Sequence, residues 1–172
     1  MRKSKINISG FKIGTAENRE GLTGVTVILA PDGGATAGVD VRGCAPGTRE
    51  TDLLDPRKTV QKIHAVVLSG GSAFGLEAAS GCVKYLAEQG VGFPIGNVCV
   101  PIVCSAVLFD LMIGDEKAYP DLLMGYEAAK SASSEFLSGC NGAGTGATVG
   151  KLLGFGNAMK SGAGYHEISL PG

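Results

Sequence analysis

The sequence predicts a single α/β domain over residues 1–172, in which strands alternate with helices. Short apolar runs rich in β-branched residues, at 22–30 and 63–68, predict strands. An amphipathic pattern over 73–89 predicts a helix. In addition, the 28 glycines among 172 residues cluster between the apolar runs, where they indicate tight turns and close backbone contacts.

The first half of the chain predicts a hairpin and then a buried strand. Residues 22–30 form its first arm, Pro31-Asp32-Gly33-Gly34 is a turn, and 35–42 is predicted as the second arm. An irregular loop over 43–56 leads to the buried strand at 63–68. The hairpin and this strand supply the sheet of the predicted domain.

The predicted helix over 73–89 has one apolar face with positions three and four residues apart. These positions are Leu76, Ala79, Cys82, Val83 and Leu86. Ser72 is placed to cap the helix and Gly90 to end it.

The second half continues the alternation. Residues 98–112 predict a strand, a bend at Pro101 and a second short apolar element. Pro120 at a first helical position predicts a helix from 119 to about 134. A glycine-rich loop follows, and 165–170 alternates like a strand.

Composition argues against several classes of protein. The net charge is −1, Trp is absent and aromatic residues make up 6% of the chain, which argues against a nucleic-acid partner. The basic start of the chain, at 1–5, lacks a following apolar region, so we expect neither a signal peptide nor a membrane span. Five cysteines, mostly in apolar runs, indicate reduced, buried thiols and a cytoplasmic location. Only Cys99 and Cys104 are closely spaced and there are two histidines, so no metal site is expected.

The run Ser69-Gly70-Gly71-Ser72 lies between the buried strand and the first helix. Free backbone N–H groups at a helix start can bind an anion or polarise a carbonyl, whereas the structural alternative is a capped helix after a tight turn. Ser72 could also be a nucleophile on such a turn, although Phe74 occupies the position where G-x-S-x-G requires glycine. The available bases would be His64 and His166.

A second glycine-rich run covers 142–151 and includes Gly144, Thr145 and Gly146. Its spacing does not fit a phosphate loop, since Leu152 follows Lys151, so we favour a dense loop packed against another backbone. A third segment, 41–52, carries charges of both signs. It is either a substrate-contacting loop or a salt-bridged loop that fixes the chain.

Together these segments resemble the L-aminopeptidase/D-esterase (DmpA-like) family of N-terminal-nucleophile, self-cleaving serine/threonine peptidases. The resemblance is carried by 39–54, 64–76 and 142–151, with 100–103 and 107–110 in the same order. It extends over most of the chain.

The resemblance implies a layered αββα sandwich, related to ornithine acetyltransferase and incomplete in this chain. It also implies a precursor that cleaves itself before a Ser or Thr, whose freed amine then serves as base for the hydroxyl. The implied substrates are short peptides, amino-acid amides or esters. Neither a cofactor nor a metal is implied, and the implied partners are the C-terminal portion of the same precursor and further copies in a homo-oligomer.

By the same resemblance the nucleophile lies beyond this chain, so its catalytic residues are unknown and the chain alone is expected to be inactive. Pro171-Gly172 resembles a hairpin turn into a next strand, which suggests truncation and an exposed apolar surface. We expect a substrate pocket with one wall at Ser69, Gly70, Gly71 and Ser72 and another at Gly144, Thr145 and Gly146. Two alternatives stay open, a non-catalytic fragment or binding subunit, and a serine hydrolase that uses Ser72.

Five positions depart from the family pattern. Cys44 and Cys104 stand where glycine and proline are expected, Cys140-Asn141 replaces Asn-Val, and Ser161 interrupts a Lys-Gly-Gly run.

Overall fold

The structure is a computed structural model that describes residues 2–170, apart from the side chain of Arg2. The described residues form eleven strands and two α-helices. The strands are β1 (Arg2–Lys5), β2 (Lys12–Asn18), β3 (Thr23–Leu29), β4 (Thr48–Arg49), β5 (Ala65–Ser69), β6 (Phe93–Ile95), β7 (Val98–Val100), β8 (Val103–Val107), β9 (Glu135–Ser138), β10 (Thr148–Val149) and β11 (Met159–Lys160). The helices are α1 (Ala78–Glu88) and α2 (Leu122–Lys130).

A five-stranded mixed sheet, in the order β2-β3-β5-β8-β4, forms the centre of the fold. Its strands β2 and β3 are antiparallel, as are β3 and β5, and Val27 lies opposite Val67. Strands β5 and β8 are parallel, so the chain crosses between them through α1. Three two-stranded pairs, β1-β9, β6-β7 and β10-β11, complete the strands of the described residues.

Both helices cover one face of this sheet. Val25, Val27 and Val67 point toward them and are 0% exposed. The two helices approach each other closely because glycines face the neighbouring backbone. A Cβ added at Gly81 would lie 1.9 Å from the carbonyl oxygen of Leu122, and one added at Gly125 would lie 1.9 Å from that of Ala78.

The opposite face of the sheet is open. It borders a cavity of about 520 Å³ that is mostly apolar. Its walls include Ile6, Ile8, Phe11, Ile13, Ile28, Leu68, Phe136, Ala143 and Gly144, together with Ser69. Leu68 remains 38% exposed there although it belongs to a central strand. The expected exposed apolar surface is therefore present on this face.

The strand predictions are confirmed at 22–30, at 63–68 and on both sides of Pro101. The predicted hairpin over 22–42 is wrong. Residues 35–42 are irregular and make one isolated bridge, Ala35 to Ile63. Both edges of β3 are occupied by β2 and β5, so no edge remains for a following strand.

The helix predictions are confirmed in place but wrong in detail. Residues 72–77 form a 3₁₀ segment before α1, and the side chain of Ser72 does not cap it. The predicted end at Gly90 is confirmed, with a φ of 69°. Helix α2 begins at Leu122, since the carboxylate of Asp121 accepts the N–H of Met124 at 2.8 Å, and it ends at Lys130, ahead of the expected 134.

The expected strand at 165–170 does not form in the described residues, and the last backbone pairing joins Gly139 to Ala163. The expected turn at Pro171-Gly172 lies outside the described residues. No helix within 2–170 is long and apolar enough to cross a lipid bilayer.

Candidate functional site

Ser69-Gly70-Gly71-Ser72, here called the first glycine segment, is a tight turn at the end of β5. Gly71 has a φ of 77° and Ser72 has a φ of 52°. A positive φ is uncommon outside glycine, so Ser72 is held in a strained conformation by its surroundings. The turn therefore has a defined backbone conformation directly after β5.

The backbone amides of this segment already have acceptors. Gly70 donates to the carbonyl of Gly24 at 2.9 Å, and Ser72 donates to the carbonyl of Leu108 at 3.0 Å. Gly71 donates to Oδ1 of Asp110 at 2.6 Å. The expectation that these three amides are free to bind a ligand is wrong, because the turn closes on acceptors of the chain itself.

The second glycine segment, 142–146, is a 3₁₀ turn packed against β2 and β3. Gly142 donates to Oε2 of Glu17 at 3.1 Å, and Ala143 donates to Oγ1 of Thr26 at 3.1 Å. A Cβ added at Gly24 would lie 2.4 Å from the carbonyl oxygen of Gly142. The interpretation as a dense loop packed against another backbone is confirmed.

The two glycine segments meet at Asp110, which is 3% exposed. Its Oδ1 accepts from Gly71, and its Oδ2 accepts from Oγ1 of Thr23 at 2.8 Å. A Cβ added at Gly70 would lie 2.1 Å from Oδ2, and one added at Gly146 would lie 2.2 Å from it. The expected two walls are thus brought together around one buried carboxylate.

Thr145 completes the second segment. Its carbonyl accepts from Nζ of Lys160 at 2.6 Å, and the same ammonium reaches the carbonyl of Ala147 at 3.1 Å. The Thr145 hydroxyl is buried and has no hydrogen-bond partner within the described chain. Lys160 therefore fixes the backbone of the second segment from the neighbouring β11.

Ser72 is not paired with a histidine in the described chain. His64 precedes β5 and Ser72 follows it, so the strand holds them roughly 15 Å or more apart. The Nδ1 of His64 instead accepts the N–H of Ile102 at 3.0 Å, and burial lowers the pKa of this imidazole. The Ser–His pair that the alternative serine hydrolase requires does not form with His64.

The charged segment 41–52 is fixed by contacts with its own chain. Arg49 donates to Oγ of Ser80 in α1 at 2.7 Å, and Arg42 pairs with Asp40 at 2.5 Å. These contacts favour the loop-fixing alternative. The Arg42–Asp40 contact is an ion pair with the residue just before the segment, whereas Arg49 makes a hydrogen bond to α1.

All five cysteines are free in the described chain. Cys82 and Cys104 are buried as predicted, whereas the prediction of burial is wrong for the exposed Cys44 and Cys140. Burial raises the pKa of Cys82 to about 12 and also raises the pKa of Cys104, which makes both poor nucleophiles. Within residues 2–170 no group of three or more His, Cys, Asp or Glu side chains could hold a metal ion.

Sequence reasoning missed Asp110 and Thr23. The available signal was that Asp110 lies within a long apolar run, where a carboxylate must find hydrogen-bond donors if it is buried. Thr23 gave no comparable signal, because threonine is an ordinary strand residue.

Comparison with known proteins shows the family of this chain. Residues 5–163 match peptidase family S58. An uncharacterized aminopeptidase of Mycobacterium tuberculosis is 47% identical over 131 residues, 76% of this chain and 38% of that protein. The 6-aminohexanoate-oligomer endohydrolase of Paenarthrobacter ureafaciens is 36% identical over 149 residues, 86% of this chain and 39% of that protein. The chain thus spans about two fifths of the length of these relatives.

Two solved structures share the fold. A Pyrococcus horikoshii protein aligns with a TM-score of 0.66 at 21% identity, over 85% of this chain and 47% of that one. A β-aminopeptidase of Burkholderia sp. aligns with a TM-score of 0.60 at 18% identity, over 85% of this chain and 45% of that one. The predicted α/β fold class is confirmed.

Proposed function

This chain belongs to peptidase family S58, and we propose that it is the N-terminal portion of an amide hydrolase of the aminopeptidase type. Polypeptide downstream of this chain would complete the enzyme and carry its nucleophile. The described residues would then shape the substrate pocket, with the first and second glycine segments as its walls.

The observation that carries this proposal is the open face of the sheet. The cavity there is bordered by Ser69 from the first glycine segment and by Gly144 from the second. Its lining is otherwise almost wholly apolar, and an apolar surface of this size on a central sheet favours a covering partner. A substrate bound beside the glycine segments would therefore lie between this chain and its cover.

The proposed chemistry is that of an N-terminal nucleophile. Self-cleavage of the precursor frees the amine of a downstream Ser or Thr. This amine takes the proton of its own hydroxyl as the oxygen attacks the substrate carbonyl, and it returns the proton to the leaving amine. Water then releases the acyl group. Ser72 takes no part in these steps.

The proposed substrates are short peptides, amino-acid amides or esters. The names of the relatives support an amide bond as the target, since they describe aminopeptidases and an endohydrolase of 6-aminohexanoate oligomers. We further propose a homo-oligomer in the cytoplasm, which light scattering of the purified protein and fractionation of the source cells would test.

Hydrolysis of amino-acid p-nitroanilides tests the proposal directly. The 172-residue chain is assayed alone and after co-production with the polypeptide that follows it in its gene. We expect turnover only in the second case, together with a new N-terminal Ser or Thr detected by mass spectrometry. Ser72→Ala should abolish neither the turnover nor the new N-terminus, because its hydroxyl is not the nucleophile.

The rival functions give different results in the same experiment. Turnover by the 172-residue chain alone, lost in Ser72→Ala, would establish the serine hydrolase and overturn the proposal. Absence of turnover in both preparations, with a stable complex between the two polypeptides, would indicate a binding subunit.

A further inference from the structure

Asp110 is a buried carboxylate without a cationic partner. It is 3% exposed, and the ion pairs of the described chain do not include it. A carboxylate in such a place is costly unless hydrogen bonds replace its lost hydration. Its oxygens take separate donors, the amide of Gly71 at 2.6 Å and the hydroxyl of Thr23 at 2.8 Å.

These two bonds tie different parts of the fold to one side chain. Gly71 belongs to the turn after β5, and Thr23 begins β3. Asp110 itself lies beyond the end of β8, so three strands of the central sheet converge on this carboxylate. The bond to Gly71 also fixes the amide of a glycine whose φ of 77° lies in the left-handed region, which glycine can adopt without strain.

The carboxylate also sets the spacing between the two glycine segments. Gly70 and Gly146 both lie against it, and neither leaves room for a β-carbon. The added atoms would lie 2.1 Å and 2.2 Å from the same oxygen, Oδ2. One side chain thus contacts a glycine of each wall.

We propose that Asp110 is a positioning residue that holds the two glycine segments in register as the walls of one substrate pocket. It does so through the Gly71 amide of the first segment, the Thr23 hydroxyl of β3 and the packing of Gly146 in the second segment against the carboxylate. It does not touch the substrate. The part of this proposal that concerns the reaction rests on the proposed function, whereas the anchoring of Gly71 does not.

Amide hydrogen exchange of the 172-residue chain, followed by NMR, tests the anchoring. In Asp110→Ala we expect the protection of the Gly71 amide to fall about tenfold or more, because a hydrogen bond to a charged acceptor is lost. The amides of Gly70 and Ser72 provide the internal controls, since they donate to carbonyl oxygens that the substitution leaves in place. Asp110→Asn, which keeps one oxygen acceptor, should retain more of the Gly71 protection.

Activity tests the role in the reaction. In the chain co-produced with its downstream polypeptide, we expect kcat for an amino-acid p-nitroanilide to fall at least tenfold in Asp110→Ala and by less in Asp110→Asn, while both variants stay folded. Asp32→Asn, a matched change at an exposed turn, should match the wild type.

Each arm can overturn the proposal. An equal loss of protection at Gly70, Gly71 and Ser72 would mean that Asp110 supports the whole fold without positioning the turn. Wild-type kcat and KM in Asp110→Ala, with Gly71 released, would remove it from the reaction. A wild-type protein without hydrolytic activity would refute the proposed function, and the exchange data would still decide the anchoring.

Discussion

The two faces of the five-stranded sheet are built from the same strands but are covered very differently. On the helix face Val25 and Val67 are 0% exposed, whereas on the other face Leu68 is 38% exposed. Alternation along a strand places neighbouring residues on opposite faces. Val67 therefore faces the buried core beneath the helices, and Leu68 faces the exposed apolar surface on the other side of the sheet. The chain's own stability depends on the first face, and its proposed assembly depends on the second.

The largest effect should follow from a charge on the open face. In Leu68→Asp we expect binding of the downstream polypeptide to weaken about a hundredfold or more, because the covered carboxylate would lack a partner. The stability of the 172-residue chain should fall by about 1 kcal/mol or less. Isothermal titration and urea unfolding measure the two quantities.

Ile95→Asp is the matched control for that change. Ile95 is an exposed apolar strand residue, 59% accessible, and it does not line the cavity. Equal binding by Leu68→Asp and the wild type would show that the open face is not the surface that the downstream polypeptide covers.

The same truncation on the two sides of the sheet should have unequal costs. Leu86 lies in the helix-side core at 4% exposure, so Leu86→Ala should lower the free energy of unfolding by about 2–5 kcal/mol. Leu68→Ala removes the same atoms from a surface with little cover and should cost about 1 kcal/mol or less. Urea denaturation of both variants at one pH gives the comparison. Similar costs would mean that the open face supports the chain as strongly as its core.

The close contact of the two helices predicts that replacing a helix glycine by alanine lowers the stability of this chain, opposite to the usual effect of helix propensity. Glycine to alanine usually stabilises a helix interior by about 1 kcal/mol. At Gly81 the added Cβ would meet the carbonyl oxygen of Leu122, so Gly81→Ala should instead destabilise the chain by about 1–3 kcal/mol. Gly38→Ala, at a site with open space, is the control. A thermal melt that places Gly81→Ala above the wild type would contradict the packing of the helix pair.

The sequence predicts the buried half of this fold better than the open half. Strand β5 and helix α1 were predictable because their periodicity reflects burial against each other. The predicted pairing of 35–42 with β3 was wrong, because β2 and β5 occupy both edges of β3. Residues 35–42 have an acceptable strand pattern but no available edge to pair with. Local pattern alone carries no information on competition for edges.

The candidate site shows the same division. Both glycine segments were identifiable from composition, but the carboxylate that joins them was not, because Asp110 and Gly71 are 39 residues apart in the chain. The expectation of free amides failed for a related reason. Whether an N–H is free depends on acceptors such as the carbonyl of Leu108, which only the folded chain brings into place.

The smallest predicted effect concerns His64, which lies at the opposite end of β5 from the first glycine segment. Burial lowers the pKa of its imidazole below the ordinary value of about 6.5. The unfolded chain therefore binds a proton first as the pH falls, and stability decreases from about pH 6.5 down to the folded-state pKa. Above that window the group has no effect. Urea midpoints between pH 7.5 and 5.5 should show this loss.

His64→Asn is the control, because an amide oxygen can still accept the N–H of Ile102 but does not titrate in this range. The variant should have a flatter dependence of stability on pH than the wild type. Parallel pH curves for the two proteins would show that His64 is not held neutral by the fold. In that case protonation of His64 would not contribute to the pH dependence of the chain's stability.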